Sequence, residues 1–440
     1  MFERLLSWCN TPTSSKQLGV FRILFGLIMV LEIGYYYRID YVANFFFAPK
    51  MLFHYEHLAL SPLSLSTMNL LLGGMMISAI LITLGLFYRF AIVYFCIVFS
   101  YFFFIDSTQY NNHIYLFCLV SFIMCFLNAD SAYSVSKSKW ISQIPQWQYR
   151  VLQFQIAVVL FYGGIAKINP FWFDLHPVKE ILQAKADSTG MGFLTTPSIQ
   201  YVIMLGGLTF DLLAPFLLWI KRTRFVGIGL AIMFNITNSW LFDDIFLFPF
   251  FMLAALILFV DDEEFSRFPI PFVKPVKSFA KAREMKLILL TPVLVYMLFQ
   301  LAVPLRHYFY PGYADWTGEG QLFAWRMKIQ HRVFDKVVFT AYSEKGGQST
   351  EVPPEQYLTM RQYEHMTTSP RKLVQFAQML EKRVKRRDKN AEVSVKVSCR
   401  IKFNGSNYAY LIDPELDILK ASRTHQSYFD WIEPLPVTKK

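Results

Sequence analysis

The chain has 440 residues, of which 54% are hydrophobic, 18% aromatic and only 17% charged, with 44 Phe. A soluble protein averages roughly 25% charged residues, so the composition excludes an ordinary soluble enzyme. The net charge of +11 would suit nucleic acid, but a basic membrane protein carries such an excess in its cytoplasmic loops.

Met1–Trp8 lacks the charged-then-apolar pattern of a cleaved signal peptide, so insertion is expected to rely on the first spanning helix. Apolar runs of spanning length cover residues 17–36, 68–86, 90–105, 113–127, 151–165, 199–220, 225–241, 245–260 and 287–303. The third, fourth and eighth are short and fit tilted or partly re-entrant segments. Nine spans put the termini on opposite sides. The N-terminal segment and even-numbered loops hold 15 Lys and Arg, including Arg222, Arg224 and a cluster from Arg267 to Lys286; the odd-numbered loops hold five. This asymmetry predicts a cytoplasmic N-terminus and an extracytoplasmic C-terminal region.

From Arg306 the composition becomes that of a soluble domain. Leu373, Phe376, Ala377, Leu380 and Val384 recur at helical spacing, with Arg383, Lys385, Arg386 and Arg387 around the polar side. That basic side reads as a solvated face near lipid headgroups, not a nucleic-acid surface. Val393, Val395, Val397, Cys399, Ile401 and Phe403 alternate with polar residues, predicting a half-buried strand. Asn404-Gly405 and 408–412 then predict a hairpin. The expected architecture is an α-helical polytopic membrane protein of about nine spans with a C-terminal extracytoplasmic α+β domain rich in strands. Its divisions are residues 1–305 and 306–440.

Motifs for phosphate loops, dinucleotide binding, hydrolase nucleophiles and zinc proteases are absent from the sequence. No inverted repeat of the transporter kind is evident. Cys9, Cys96, Cys118, Cys125 and Cys399 have no metal-ligand spacing, so no metal is indicated. The pair Gly206-Gly207 reads as a close-packing spot between helices.

Under the expected topology Lys167, the Tyr110–His113 segment and Asn235, Asn238, Asp243 and Asp244 all reach the outer membrane face. A lysine beside the hydrocarbon region is a functional candidate, and an amine kept from water can serve as a neutral base. Each group also has a plainer reading: Lys167 as a snorkelling anchor, His113 as a satisfied core histidine, Asn111 and Asn112 as helix caps. Asp211 reads as the partner of a buried donor. Arg22 and Glu32 fit ion pairing between helices or snorkelling equally well.

The chain also resembles the vitamin K-dependent gamma-glutamyl carboxylase family, including its shorter bacterial relatives with an HTTM domain. The resemblance runs through Val20-Phe21-Arg22-Ile23-Leu24-Phe25-Gly26, Gly85-Leu86-Phe87-Tyr88-Arg89, Asn111-Asn112-His113-Ile114-Tyr115 and Tyr162-Gly163-Gly164-Ile165-Ala166-Lys167. It continues through Gly206–Asp211, Asn238–Phe242, Trp316-Thr317 and Phe323-Ala324-Trp325-Arg326-Met327. It implies a bacterial inner-membrane enzyme in which O2 oxygenates a reduced vitamin K or related hydroquinone to an epoxide. The strong base so generated removes a γ-proton from a glutamate side chain, and CO2 adds to give γ-carboxyglutamate. The implied starting base is Lys167, with His113 assisting at the quinone oxygen. Asn111, Asn112, Tyr162 and Asn238 are the implied contacts to quinone or glutamate. The implied partners are the lipid bilayer, the quinone and a glutamate-containing protein substrate, with no nucleic acid.

The sequence departs from the family pattern at three places. Ala166 stands where many relatives have a second lysine, Asn235 replaces a histidine, and Phe246 replaces a glycine beside an apparent insertion at Asp243-Asp244. Two alternatives therefore stand: a quinone epoxidase without carboxylation, and a non-enzymatic membrane scaffold or receptor. A transporter is a further rival, which requires a midplane site reached from both faces.

Overall fold

The structure, a computed structural model, describes residues 2–136, 141–267, 286–343, 348–425 and 427–436. Among the described residues, nine apolar helices order the membrane half: α1 (Lys16–Arg38), α2 (Leu65–Leu84), α3 (Tyr88–Ile105), α4 (Asn112–Met124), α5 (Trp147–Lys167), α6 (Pro197–Trp219), α7 (Arg224–Leu241), α8 (Phe248–Ala255) and α9 (Leu287–Leu305). Six segments among the described residues are long and apolar enough to cross a membrane: α1, α2, α3, α5, α6 and Leu290–Phe309, which overlaps α9. At 13 residues, α4 is about 20 Å long, short of a hydrocarbon core of roughly 30 Å. The eighth apolar run is also short, with α8 continuing as a 3-10 turn over Leu256–Phe259. Of the basic cluster from Arg267 to Lys286, all but its two ends lie outside the described residues.

Among the six long segments, α5 is the most buried and Leu290–Phe309 the least. The reason for the first is local: α5 packs along α6, and a Cβ built on Gly164 would lie 3.0 Å from the Leu212 backbone nitrogen and 2.8 Å from its side chain. Only glycine lets the two helices come this close. The Gly206-Gly207 pair does not pack in this way. Gly206 has nothing within 4 Å of a Cβ position, and both glycines line a cavity.

Arg22, fully buried in α1, neither pairs with a carboxylate nor snorkels. Its Nε donates to Ala129 O (3.0 Å), Nη1 to Ile82 O (2.7 Å) and Thr83 O (2.9 Å), and Nη2 to Ala132 O (3.3 Å) and Tyr133 O (2.8 Å). The guanidinium fork thereby takes up carbonyls left open at the end of α2 and in the turn after α4, where unpaired carbonyls in apolar surroundings would be costly.

In the membrane half β1 (Pro12–Ser14) pairs with β2 (Gln143–Pro145); in the C-terminal region β3 (Arg332–Phe334), β4 (Val338–Ser343), β5 (Gln348–Val352), β6 (Val393–Ser398), β7 (Arg400–Phe403) and β8 (Ala409–Tyr410) form two antiparallel sheets. Their orders are β3-β7-β8 and β5-β4-β6. The single strand expected over 393–403 is thus two, divided at Cys399. The period-2 alternation continues across the break: Val395, Val397, Cys399, Ile401 and Phe403 are all fully buried, so both sheets share one core. The expected hairpin is present, with Asn404 (φ 42°) and Gly405 (φ 78°) in the left-handed region and β7 paired to β8. The basic helix, α10 (Pro370–Arg387), buries Leu373, Phe376, Ala377 and Leu380 against this core. The same core includes Phe53 from the loop between α1 and α2, fastening the C-terminal region to the membrane half.

Candidate active site

The polar residues singled out in the sequence meet at a cavity of about 620 Å³. Lys167 is the last residue of α5. The chain turns there because Asn169 caps the next short helix: its Oδ1 accepts from Trp172 N (3.0 Å), while its Nδ2 donates back to Ala166 O (2.9 Å). The turn brings the Trp172 ring to 5.4 Å from the Lys167 ammonium position and leaves the lysine only 6% exposed. Lys167 therefore does not snorkel. Its Nζ lies 2.5 Å from Asp211 Oδ2 on α6 and 3.2 Å from Gly163 O. Asp211 is 4% exposed, so each group is the other's principal partner in a dry setting. The close α5–α6 approach at Gly164 sets this distance, and the neighbouring Gly163 leaves room for the carboxylate: a Cβ there would sit 3.4 Å from Asp211 Oδ2.

The opposite wall is the start of α4. Asn111 is its N-cap, with extended backbone and a side-chain oxygen accepting from His113 N at 3.4 Å. Asn112 Oδ1 accepts from the Tyr110 hydroxyl at 2.9 Å, and that hydroxyl accepts from Phe323 N at 2.7 Å. The His113 ring lies 6.0 Å from both Phe117 and Phe248. Asn111, Asn112, His113 and Lys167 all line the cavity, as do Asn235 and Asn238 of α7. Asn235 turns its amide to its own helix, donating to Ala231 O at 2.8 Å. Tyr162 is not among the lining residues; its hydroxyl donates to Leu301 O of α9 at 2.7 Å. Much of the remaining wall is apolar, including Leu160, Phe210, Leu213, Phe234 and Met252.

Asp211, read from the sequence as the partner of a buried donor, has Lys167 as that donor; two further lining residues, Arg326 and Lys328 from the C-terminal region, had no role assigned from sequence. Lys328 Nζ reaches both carboxylate oxygens of Asp244 at 2.7 Å, and Lys185 approaches Asp243 at 3.4 Å. Arg326 is held by a fork to Asp315 (Nε–Oδ1 2.8 Å, Nη2–Oδ2 2.6 Å). The run Phe323–Met327 was a visible signal for this segment, but only the fold shows that it closes over the membrane cavity. Among the described residues no cluster of His, Cys, Asp or Glu has the form of a metal site.

The helices, the cavity at one end of α5 and the strand-bearing region above it define a multi-pass membrane protein with a largely apolar cavity. Residues 10–263, more than half of the chain, match the HTTM domain. Residues 285–438 match the lumenal domain of the vitamin K-dependent gamma-carboxylase. The chain belongs to this gamma-carboxylase family as an HTTM-domain member. Its domains are those of a carboxylase-type membrane enzyme, and the lumenal match agrees with an extracytoplasmic C-terminal region. No solved structure matches the chain.

Proposed function

We propose that this protein couples O2-dependent epoxidation of a reduced vitamin K-type hydroquinone to carboxylation of glutamate side chains, with Lys167 as the starting base. The observation that carries this reading is the buried Lys167–Asp211 pair facing the same cavity as His113. The cavity volume of about 620 Å³ lies in the range of small-molecule sites, roughly 300–1,000 Å³. Its apolar wall with polar groups from α4, α5 and α6 suits a ring system carrying oxygen at its edge. Bound there, the hydroquinone would supply, with O2, the strong base that no side chain provides.

The residues have separable tasks. At 2.5 Å the lysine and aspartate work as one net-neutral unit. Its amine form takes a proton from the bound hydroxyl while Asp211 keeps the proton the pair shares. The unit then carries one positive charge, balanced by the oxyanion beside it. His113, fixed at the first turn of α4 by the Asn111 cap, assists at the ring oxygen, and Asn112 and Asn238 offer amide contacts. Exclusion of water by the surrounding Leu, Phe and Met side chains protects the reactive carbon and oxygen species from bulk protons. A glutamate-bearing protein would approach from the face that carries the C-terminal region. We assign all nine helices to the membrane, the N-terminus to the cytoplasm of a bacterial inner-membrane protein, and the domain division to residues 1–305 and 306–440.

Two assays test this. Purified protein given reduced vitamin K and O2 should form epoxide, and Lys167→Ala should abolish it; unchanged epoxide formation in that variant removes the base assignment. Labelled CO2 should enter a glutamate peptide in the same mixture. Epoxide without label would leave an epoxidase and refute the coupling.

A further inference from the structure

A second cavity, of about 510 Å³, lies at the other end of α5. Arg150, which lines it, and Lys167 are both on this helix, about 25 Å apart along its axis. The wall of the second combines Trp8, Gln17 at the start of α1, Arg150 and Gln153 in the first turns of α5, Trp219 at the end of α6, and Asp261 beyond α8.

Two of these groups lack a natural counterpart. Arg150 makes no ion pair among the described residues. Its Nη1 donates to Gln153 Oε1 at 2.9 Å, the Gln146 side-chain oxygen faces it once the amide is oriented for bonding, and Trp8 lies 5.5 Å from its guanidinium carbon. The adjacent Arg224, by contrast, has two carboxylates, Glu264 at 2.7 Å and Asp261 at 2.8 Å. Gln17 is 3% exposed. Its Nε2 donates to Val260 O at 3.2 Å, while its Oε1 is buried with no donor. A guanidinium with no carboxylate in direct contact suits an anion of fork geometry, and a buried orphan acceptor calls for an N–H or O–H.

We propose that this cavity binds the headgroup of an amine-bearing phospholipid. The phosphodiester sits on Arg150, and the ammonium is directed to Gln17 Oε1 and the Asp261 carboxylate. The location favours a lipid over a soluble phosphate. The groups gather where the membrane helices begin and end, and the partly exposed rings of Trp8 and Trp219 stand at the rim, as aromatic side chains do at headgroup level. This site is independent of the chemistry at Lys167.

The test is native mass spectrometry of the full-length protein in mild detergent, titrated with phosphatidylethanolamine, phosphatidylcholine or phosphatidylglycerol, and separately with inorganic phosphate or glycerophosphoethanolamine. One phosphatidylethanolamine should be retained in preference to phosphatidylcholine, which has no N–H to donate. Arg150→Ala should weaken that retention about tenfold, the loss of one charge-assisted contact, and Gln17→Leu about threefold. Arg150→Lys, checked for an unchanged Tm, should weaken it less than Arg150→Ala and so covers misfolding of the alanine variant. Equal retention of ethanolamine and choline lipids, or retention indifferent to Arg150, overturns the proposal. Preference for phosphatidylglycerol overturns the ammonium assignment. Binding of phosphate or free headgroup as tight as that of lipid shows a soluble-anion site, and no binding of any probe shows a water-filled pocket; either result also overturns it.

Discussion

The Lys167–Asp211 pair makes the most demanding prediction. Both residues are nearly inaccessible, and their 2.5 Å contact is supplemented on the lysine side by Gly163 O at 3.2 Å and the Trp172 ring at 5.4 Å. Lys167→Met leaves a carboxylate in apolar surroundings, and Asp211→Leu leaves an amine there. Each should destabilise the protein by about 3–5 kcal/mol, the cost of breaking a buried pair from one side. The double variant Lys167→Met/Asp211→Leu removes both charges and fills the space with apolar atoms, so its stability should fall near that of the parent. The two losses are then strongly non-additive, with a coupling of about 6 kcal/mol or more, against roughly 0.2–1 kcal/mol for an exposed pair. Unfolding of the purified protein by denaturing detergent, compared across the four members of the cycle, measures it. The coupling should also survive high salt, because buried pairs are little screened. Additive losses, or single losses under about 1 kcal/mol, would refute the reading of this contact as a desolvated pair.

Other substitutions should separate the forces that shape the site. Gly164→Ala should cost about 1–3 kcal/mol by forcing α6 away and should lower epoxide formation with it. Gly163→Ala meets Asp211 at an ordinary 3.4 Å and only the flexible end of Met327 at 3.3 Å, and should be the milder change in both assays. Lys328→Gln, at a pair 36% and 68% exposed, should cost less than about 1 kcal/mol, and that cost should shrink further in salt. In the C-terminal region, burial pushes the Lys372 amine down to about 8, with Asp106 opposing the shift. The unfolded chain, where lysine titrates near 10.4, then binds more protons between these values, so stability rises with pH across that window. The rise should be about 3 kcal/mol; Lys372→Met should remove it, and denaturation midpoints taken from pH 8 to 10.5 would show whether it does.

Much of the fold was legible because hydropathy carries it directly. Each of the nine apolar runs contains or overlaps a helix, and the alternation over 393–403 correctly marked a buried face. The division of that strand at Cys399 was not legible, because alternation reports which face is buried and not which neighbour pairs. Arg22 was ambiguous for a related reason. An arginine in an apolar run signals only that its charge must be satisfied, and here backbone carbonyls of distant segments satisfy it. The Gly206-Gly207 reading failed because a glycine pair marks close approach equally well to another helix or to open space, and the helix contact fell to Gly164.

The site itself divides along the same line. Lys167, His113 and Asn111 carry local signals, a charge at the end of an apolar run and a cap before another, and those signals led to one cavity. Asp211 and Lys328 have no local signal that joins them to Lys167, since 44 positions separate the first from it and the second arrives from beyond α9. Their positions follow from packing: the α5–α6 approach puts a carboxylate on the amine, and the core shared by Phe53, Trp316 and α10 holds the C-terminal region over the membrane half. The departures from the family pattern then take on a physical sense. With Ala166 buried in place of a second lysine, the charge next to Lys167 comes from another helix and has the opposite sign. The proposed role of Lys167 as base depends on the separation of α5 and α6, so changes at Gly164, which is not a lining residue of the cavity, should reach the proposed chemistry through that distance.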